Sequence, residues 1–292
     1  MIIDGHVHVF RAYSSYYPRT VDELAPAERE APVERLLATM TAAGVDGAVL
    51  VPLGPEDGYV RDCVRLHPGR FVAIGVADAA CTGRAVGTEP ASALARRVAA
   101  TGIRGLRMNW LGDPARPLRD SPAYPTLRWM AAHGLVLWLY APPSQLPLLE
   151  QAAAEFGDLP IVLNHLGFCP IGMTVDQHGR PRIDIAVPPP TLPAVLALAR
   201  FPSIRVMVSG QYAFSAAAFP YPDLDPVVRE VHAAFGASRL LWASDFPWPS
   251  EVPGYGPLVE LPRQHLPALA PAEQDAIYGG TVRDLFPGGW QQ

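Results

Sequence analysis

The sequence predicts an α/β protein built as a single (β/α)8 TIM barrel, and three observations lead to this prediction. Eight short apolar runs alternate with longer stretches of helical spacing along the 292 residues, and such a barrel takes roughly 250 residues. Most runs are almost continuously hydrophobic, as parallel strands covered on both faces are. No Gly-rich fingerprint follows an early strand, which an open doubly wound sheet would favour. We therefore expect one domain, residues 1–292, without a linker or an internal repeat.

The predicted strands are rich in Val, Ile and Leu, which suit a pleated surface packed on both sides. In chain order they are Ile2–His8, Gly47–Pro52, Phe71–Ala77, Ile103–Asn109, Leu135–Tyr140, Ile161–His165, Ile204–Gly210 and Leu240–Ser244. Each apolar run stops at or next to a polar residue, a glycine or a proline, and we expect the strand boundaries there.

Helical spacing of apolar residues predicts six helices between these strands. They are Pro32–Ala43, Ala91–Ala100, Pro122–Ala132, Leu146–Phe156, Leu192–Ala199 and Pro226–Phe235. In the first helix, Val33, Leu36, Leu37 and Met40 recur at helical spacing, and Gly44 follows as a C-cap.

Two segments do not fit the alternation and are predicted to be loop insertions after the first and sixth strands. Arg11–Ala31 is long, polar and rich in tyrosine, and Phe168–Pro190 contains a hairpin pattern that turns near His178–Gly179. Because loops after barrel strands build the active-site face, both segments are candidates for a lid or a partner contact.

Composition excludes several function classes. All 23 basic residues are arginine, so a Schiff-base lysine, a P-loop lysine and a carbamylated lysine that bridges two metals are excluded. The net charge is −5 and there is no basic block, so neither nucleic acid nor an anionic membrane is an expected partner. The sequence contains no secretory signal and no apolar run long enough to span a bilayer. Three scattered cysteines indicate reduced thiols and a cytoplasmic protein.

Polar residues at the strand ends predict one shared site. His6 and His8 lie two apart on the first strand, so both side chains point to the same side, with Asp4 expected one layer deeper. The other strands contribute Arg107, Asn109, Tyr140, His165, Ser209, Gln211, Tyr212 and Asp245. Since the carboxyl ends of barrel strands meet at one face, these side chains are expected to converge there.

Three of these features resemble the amidohydrolase superfamily: H-x-H on the first strand, a lone histidine closing the sixth, and "SDFP" closing the eighth. The most similar branch is the amidohydrolase-related one, which includes sugar lactonases and 2-pyrone-4,6-dicarboxylate lactonase. "LPIVLNHLG" and "SRLLWASDFPWP" are the most specific stretches, and "GIRGLRMN" adds support. The resemblance runs in order from residue 2 to about residue 250, and it implies the barrel fold.

The resemblance also implies roles for individual residues. Catalytic roles fall to His6, His8, His165 and Asp245. Arg107 would bind a substrate carboxylate, and Asn109, Tyr140 and Tyr212 are the further expected substrate contacts. Two departures narrow the chemistry. Tyr140 stands where a metal-dependent decarboxylase of the branch has a histidine, and Asp113 replaces a second arginine, which disfavours a dicarboxylate substrate.

The metal content is left open by the residues. His6, His8 and Asp245 could supply the three protein ligands that a catalytic zinc commonly takes, or His165 could join them, so one zinc or manganese ion is one alternative. The missing histidine at position 140 favours the other alternative, a metal-free site.

The expected reaction is hydrolysis of a lactone. Asp245 would activate the attacking water and return the proton to the leaving oxygen, while the histidines or a metal stabilise the oxyanion. Two alternatives are metal-dependent non-oxidative decarboxylation or hydration of an unsaturated acid, and a barrel without catalysis that binds a ligand. The expected partner is a small molecule. A homodimer and a monomer both stay open.

Overall fold

The computed structural model describes residues 1–291, and its centre is the predicted parallel barrel. The strands are β1 Ile3–Val7, β2 Gly47–Leu50, β3 Phe71–Ala73 continued by Gly75–Val76, β4 Gly105–Met108, β5 Val136–Leu139, β6 Ile161–Leu163, β7 Ile204–Val208 and β8 Leu240–Trp242. Each strand pairs in parallel with the next one along the chain, from β1 to β8, with β3 divided at Ile74.

Backbone contacts between the first strand and the end of the last one close the barrel. Val7 forms a parallel bridge with Phe246, the amide of His8 donates to the carbonyl of Phe246 over 2.7 Å, and the amide of Asp245 donates to the carbonyl of His6 over 3.1 Å. Gly5 permits this approach, because a Cβ there would lie 2.7 Å from a Leu241 methyl carbon. The closure therefore places His6, His8 and Asp245 side by side.

Helices surround the strands. Their bounds are α1 Val33–Ala43, α2 Gly58–Leu66, α3 Pro90–Thr101, α4 Tyr124–Ala132, α5 Leu146–Glu155, α6 Leu192–Ala197, α7 Gln211–Phe214, α8 Asp225–Phe235, α9 Tyr255–His265, α10 Pro271–Asp275 and α11 Thr281–Leu285. The six predicted helices are present with ends shifted by a few residues. Sequence patterning did not single out α2, α7 or the three helices after β8. None of the helices in residues 1–291 has the length and apolarity to cross a membrane.

The barrel interior is a packed core rather than a pore. Its fully buried side chains include Val49, Ile74, Val162 and Met207 around Trp138, which is 0% exposed. Phe286, which follows α11, packs against Trp138 with ring centroids 6.2 Å apart. Trp138 thus forms the floor on which the polar strand ends lie.

One strand departs from simple alternation. The pairing of β1 with β2 shifts register between Asp4 and Val7. The Asp4 carboxylate consequently points towards α9, where it accepts from the Tyr255 hydroxyl at 2.8 Å, and it also accepts from the amides of His6 and Ser244. The expectation that Asp4 lies beneath the histidines was wrong, because the register shift breaks the period of two between them.

The two long loops have their own internal order. The Arg19 guanidinium donates to six main-chain carbonyls of its own segment, at Arg11, Thr20, Ala25, Pro26, Ala27 and Arg29. The predicted hairpin is present as antiparallel strands Thr174–Val175 and Pro181–Arg182. Arg29 joins the two loops, because its Nη1 donates to the carbonyls of Leu24 and Gly179.

Candidate active site

A cavity of about 720 Å3 opens at the carboxyl ends of the strands, a size within the range of small-molecule sites. Its polar lining comes mainly from strand ends: His8, Arg107, Asn109, Tyr140, His165 and Asp245. Its apolar lining includes Leu24, Leu53, Val76, Ile171, Met173, Phe214 and Trp248, several of them from the two long loops. The predicted convergence of polar strand ends is therefore present in the structure.

Asp245 turns into this cavity directly after β8. Its backbone has φ +62°, a left-handed conformation that is uncommon for a residue with a side chain. Its Oδ2 accepts a 2.6 Å hydrogen bond from the Tyr212 hydroxyl, whereas its Oδ1 is buried without a hydrogen-bond partner. Burial raises the pKa of Asp245, and His8, the Tyr212 hydrogen bond and Arg107 oppose that rise.

His165 occupies a similar turn after β6, with φ +50°. Its Nδ1 lies 2.8 Å from the Ser209 hydroxyl oxygen. Gly210 packs against the ring so closely that a Cβ there would lie 2.9 Å from it, and φ at Gly210 is +76°. Burial, followed by the charge of Arg107, lowers the pKa of His165 to about 3, so the imidazole is neutral at physiological pH.

His6 and His8 belong to a hydrogen-bonded series that begins in the barrel core. The Trp138 indole nitrogen lies 2.9 Å from Nδ1 of His6, and Nε2 of His6 lies 3.1 Å from Nε2 of His8. Nδ1 of His8 lies 2.8 Å from the carbonyl oxygen of Val51. An indole N–H can only donate and a carbonyl can only accept, so both ends of the series have fixed roles.

Both histidines are neutral in this arrangement. Burial, followed by the neighbouring groups His8, Arg107 and His165, lowers the pKa of His6 well below its usual range. Burial lowers the pKa of His8 to about 4, although Asp245 opposes this change. Nε2 of His6 and of His8 lie 3.8 and 3.7 Å from Oδ1 of Asp245. Because the imidazoles are uncharged, these contacts are not ion pairs.

Arg107 is the cation of the cavity. Its guanidinium makes no hydrogen bond or ion pair with any residue in 1–291, and it lies 5.4 Å from the centroid of the Tyr140 ring. Burial lowers the pKa of Arg107, while Asp245 opposes this change. A guanidinium in this position suits an anionic or oxygen-rich group of a ligand.

The structure separates the predicted site residues into two groups. Six of them line the cavity: His8, Arg107, Asn109, Tyr140, His165 and Asp245. His6 lies beneath them and is 0% exposed, and Tyr212, expected to contact substrate, is buried and holds Asp245 instead. Trp138 was missed as a functional residue. The period of two places it on the same side of β5 as Tyr140, and a buried indole N–H usually needs an acceptor.

A candidate metal group is also present. Ligand atoms of His6, His165 and Asp245 lie within 4.8 Å of one another. The predicted set is also close, because Nε2 of His6, Nε2 of His8 and Oδ1 of Asp245 lie within 3.8 Å of one another. The free Oδ1 of Asp245 suits a cation. Nε2 of His6 does not suit a metal. A histidine that binds a metal through one ring nitrogen normally donates a proton from the other. Nδ1 of His6 already accepts from Trp138, so the proton of the neutral ring lies on Nε2 instead.

Comparisons with known proteins agree with this geometry. Residues 3–288 match the family profile described as Amidohydrolase. The chain is 29% identical over 263 residues to L-fucono-1,5-lactonase of Burkholderia ambifaria, covering 84% of this chain and 80% of that protein. A Pseudomonas putida structure assigned as a 2-pyrone-4,6-dicarboxylic acid hydrolase superposes with a TM-score of 0.70 at 24% identity, covering 98% of this chain and 97% of that one. An amidohydrolase of Burkholderia multivorans with bound zinc gives 0.72 at 21% identity, covering 98% of both chains.

Proposed function

The chain belongs to the amidohydrolase family, and from that premise we propose that it is a lactonase, a hydrolase that opens a cyclic ester with water. The observation that carries this proposal is the Asp245 carboxylate. One of its oxygens is held by Tyr212, and the other is buried and free of partners beside a cavity of small-molecule size. A carboxylate placed in this way is a general base for water.

The base removes a proton from water. Oδ1 of Asp245 accepts that proton while the water oxygen attacks the lactone carbonyl carbon. When the ring C–O bond breaks, the same carboxyl group returns the proton to the leaving oxygen. The raised pKa of Asp245, caused first by burial, brings it closer to neutral pH, where transfer in both directions is efficient.

The oxyanion needs a hydrogen-bond donor, and His165 in the cavity wall can supply one, whereas Arg107 binds the carboxylate or ring oxygen of the substrate. His165 offers Nε2–H when its Nδ1 accepts from the Ser209 hydroxyl. One preorganised donor to a developing oxyanion contributes about 3–4 kcal/mol to catalysis. His8 is a neutral part of the wall, and no step of this mechanism passes through a metal.

The cavity also restricts the substrate. Its one guanidinium can bind a single carboxylate or ring oxygen of the lactone, and Asn109 and Tyr140 lie beside it as polar contacts. A decarboxylase is not favoured, because Tyr140 occupies the position at which the resemblance requires a metal-binding histidine.

The proposal extends to the partner, the domain and the compartment. The small-molecule partner is the lactone, and the closed parallel barrel supports a single domain over the described residues 1–291. Cys63, Cys81 and Cys169 are all free and buried, which supports a reducing, cytoplasmic setting. The choice between a homodimer and a monomer stays open, to be checked by sedimentation equilibrium.

The decisive experiment is a lactone panel assayed with the wild-type protein and with Asp245→Asn. We include sugar-acid lactones and lactones that carry one carboxylate, and we follow ring opening by proton release in weak buffer. Turnover by the wild type that is lost in a folded Asp245→Asn protein supports the proposal. Full turnover in Asp245→Asn would refute the role of Asp245, and no turnover of any lactone would refute the lactonase itself.

A further inference from the structure

We propose that Trp138 is a positioning residue that makes His6 a proton donor to His8 rather than a metal ligand. The proposal rests on three contacts in series: Trp138 to His6, His6 to His8, and His8 to the Val51 carbonyl. All four groups are buried, with Trp138 and His6 0% exposed and His8 5% exposed, and of the four only His8 borders the cavity.

The protons of the series follow from its two ends. Trp138 can only donate, so Nδ1 of His6 carries no proton, and the single proton of neutral His6 lies on Nε2. The Val51 carbonyl can only accept, so the proton of His8 lies on Nδ1 and its Nε2 accepts from His6. A charged form of either histidine would place two N–H groups against each other. The geometry therefore allows one arrangement, with one proton in each gap.

This arrangement has a consequence for the base. Oδ1 of Asp245 lies 3.8 Å from Nε2 of His6 and 3.7 Å from Nε2 of His8. The proton of His6 is committed to His8, and Nε2 of His8 has no proton to offer. Neither histidine therefore binds Oδ1, which stays free. By fixing the proton of His6 on Nε2, Trp138 keeps both imidazoles from donating to Oδ1 of Asp245, although Trp138 does not itself contact that carboxylate.

The same arrangement has a consequence for metal binding. A zinc ion at Nε2 of His6 must displace the proton there. The imidazole then either becomes an anion or moves its proton to Nδ1, against the indole N–H of Trp138. Both outcomes weaken binding. Removal of the indole N–H lets His6 carry its proton on Nδ1 and present a lone pair on Nε2, the form that metals prefer.

The first arm of the test is spectroscopic, needs no substrate, and uses one variant only to assign signals. Long-range 1H–15N correlation spectra of the wild-type protein, with His6 assigned by loss of its signals in His6→Asn, report which ring nitrogen carries the proton. We expect Nε2–H for His6 and Nδ1–H for His8. A proton on Nδ1 of His6 would overturn the proposal.

The second arm compares two tryptophans. Trp138→Phe keeps an apolar ring and removes the N–H. Trp242→Phe is the matched control, because Trp242 is 1% exposed and its Nε1 donates over 2.9 Å to the carbonyl of Leu258 rather than to a histidine. Zinc chloride alone is titrated calorimetrically into each protein, after circular dichroism has shown that each is folded.

We expect Trp138→Phe to bind zinc about tenfold more tightly than the wild type, the factor set by one hydrogen-bond mismatch, and Trp242→Phe to match the wild type. Equal affinity in all three proteins would overturn the proposal, as would an equal gain in both variants. If Trp138→Phe does not fold, the spectrum of the wild type alone decides. Since neither arm measures turnover, failure here is separate from failure of the lactonase proposal.

Discussion

Substitution of Tyr212 by Phe tests how the barrel tunes its base. The Tyr212 hydroxyl donates to Oδ2 of Asp245 over 2.6 Å, and no other described group donates to this carboxylate. A hydrogen bond to a charged group contributes about 1.5–3 kcal/mol, and 1.36 kcal/mol corresponds to one pKa unit. Removal of the hydroxyl should therefore raise the pKa of Asp245 by about 1–2 units.

The pKa of Asp245 rises in the variant because the lost hydrogen bond stabilises the charged form of the carboxyl group. Burial already raises the pKa of Asp245, and the hydrogen bond from Tyr212 lowers it, so the variant loses a stabiliser of the carboxylate. Because the base must be ionised, the acid limb of kcat/KM should move up by about 1–2 pH units. A group whose pKa is raised on folding stabilises the protein at low pH and loses that contribution as pH increases. The stability deficit of the variant should therefore grow from pH 4 towards neutral pH.

The measurement is a pH profile of kcat/KM on the best lactone, with urea unfolding at pH 4 and near pH 7. Tyr278→Phe is the matched control, because the buried Tyr278 hydroxyl donates over 2.6 Å to the carbonyl of Val259, away from the cavity. We expect its acid limb to coincide with that of the wild type. An unmoved acid limb in a folded Tyr212→Phe protein would show that Asp245 is not the group that titrates.

Three further predictions concern the cavity wall and the metal. Gly210→Ala should lower kcat at least tenfold, because the added Cβ would lie 2.9 Å from the His165 ring. It should also destabilise the protein by about 1 kcal/mol, because φ at this position is +76°. An unchanged kcat would mean that the position of His165 does not matter for catalysis. Arg107→Gln should raise KM for lactones bearing a carboxylate roughly tenfold or more without loss of stability in thermal melting, since it removes a half-buried charge that has no ion-pair partner among residues 1–291. An equal effect on uncharged lactones would contradict carboxylate recognition. Prolonged dialysis against a chelator should leave lactone turnover unchanged, and a loss that zinc restores would assign an essential metal.

The barrel was predictable because its strands are buried on both faces. Such strands appear in the sequence as continuous apolar runs, as in "IVL" of β6 and "LLW" of β8, and the polar residues within three positions after each run mark the active-site face. His165 and Asp245 are two of these polar residues. Helix α2 was not predicted, because its sequence "GYVRDCVRL" mixes charged and apolar residues over only nine residues.

The features that the sequence did not predict arise where the backbone departs from the regular periodicity of a strand or helix. Asp4 points towards α9 because the β1 pairing shifts register, and Tyr212 lies under Asp245 because α7 starts directly after a left-handed Gly210. The assignment of protons to His6 required Trp138, which lies 132 residues away along the chain. No pattern within one element encodes a contact of that kind.

The placement of charge in the site is the reason to regard the unusual backbone of Asp245 and His165 as functional. Left-handed residues with side chains cost of order 1–3 kcal/mol each and persist when the surrounding structure determines them. Here the amide of Asp245 is tied to β1, and His165 is packed on Gly210. Both turns direct the side chains into the cavity, His165 two residues beyond β6 and Asp245 three residues beyond β8. The neutral histidines of the wall then leave Arg107, Asp245 and the loop residue Asp22 as the charged side chains of the lining. Asp245 has an unbonded oxygen, and Arg107 has an unpaired guanidinium. This is the arrangement that a water molecule and an oxygen-rich substrate would complete.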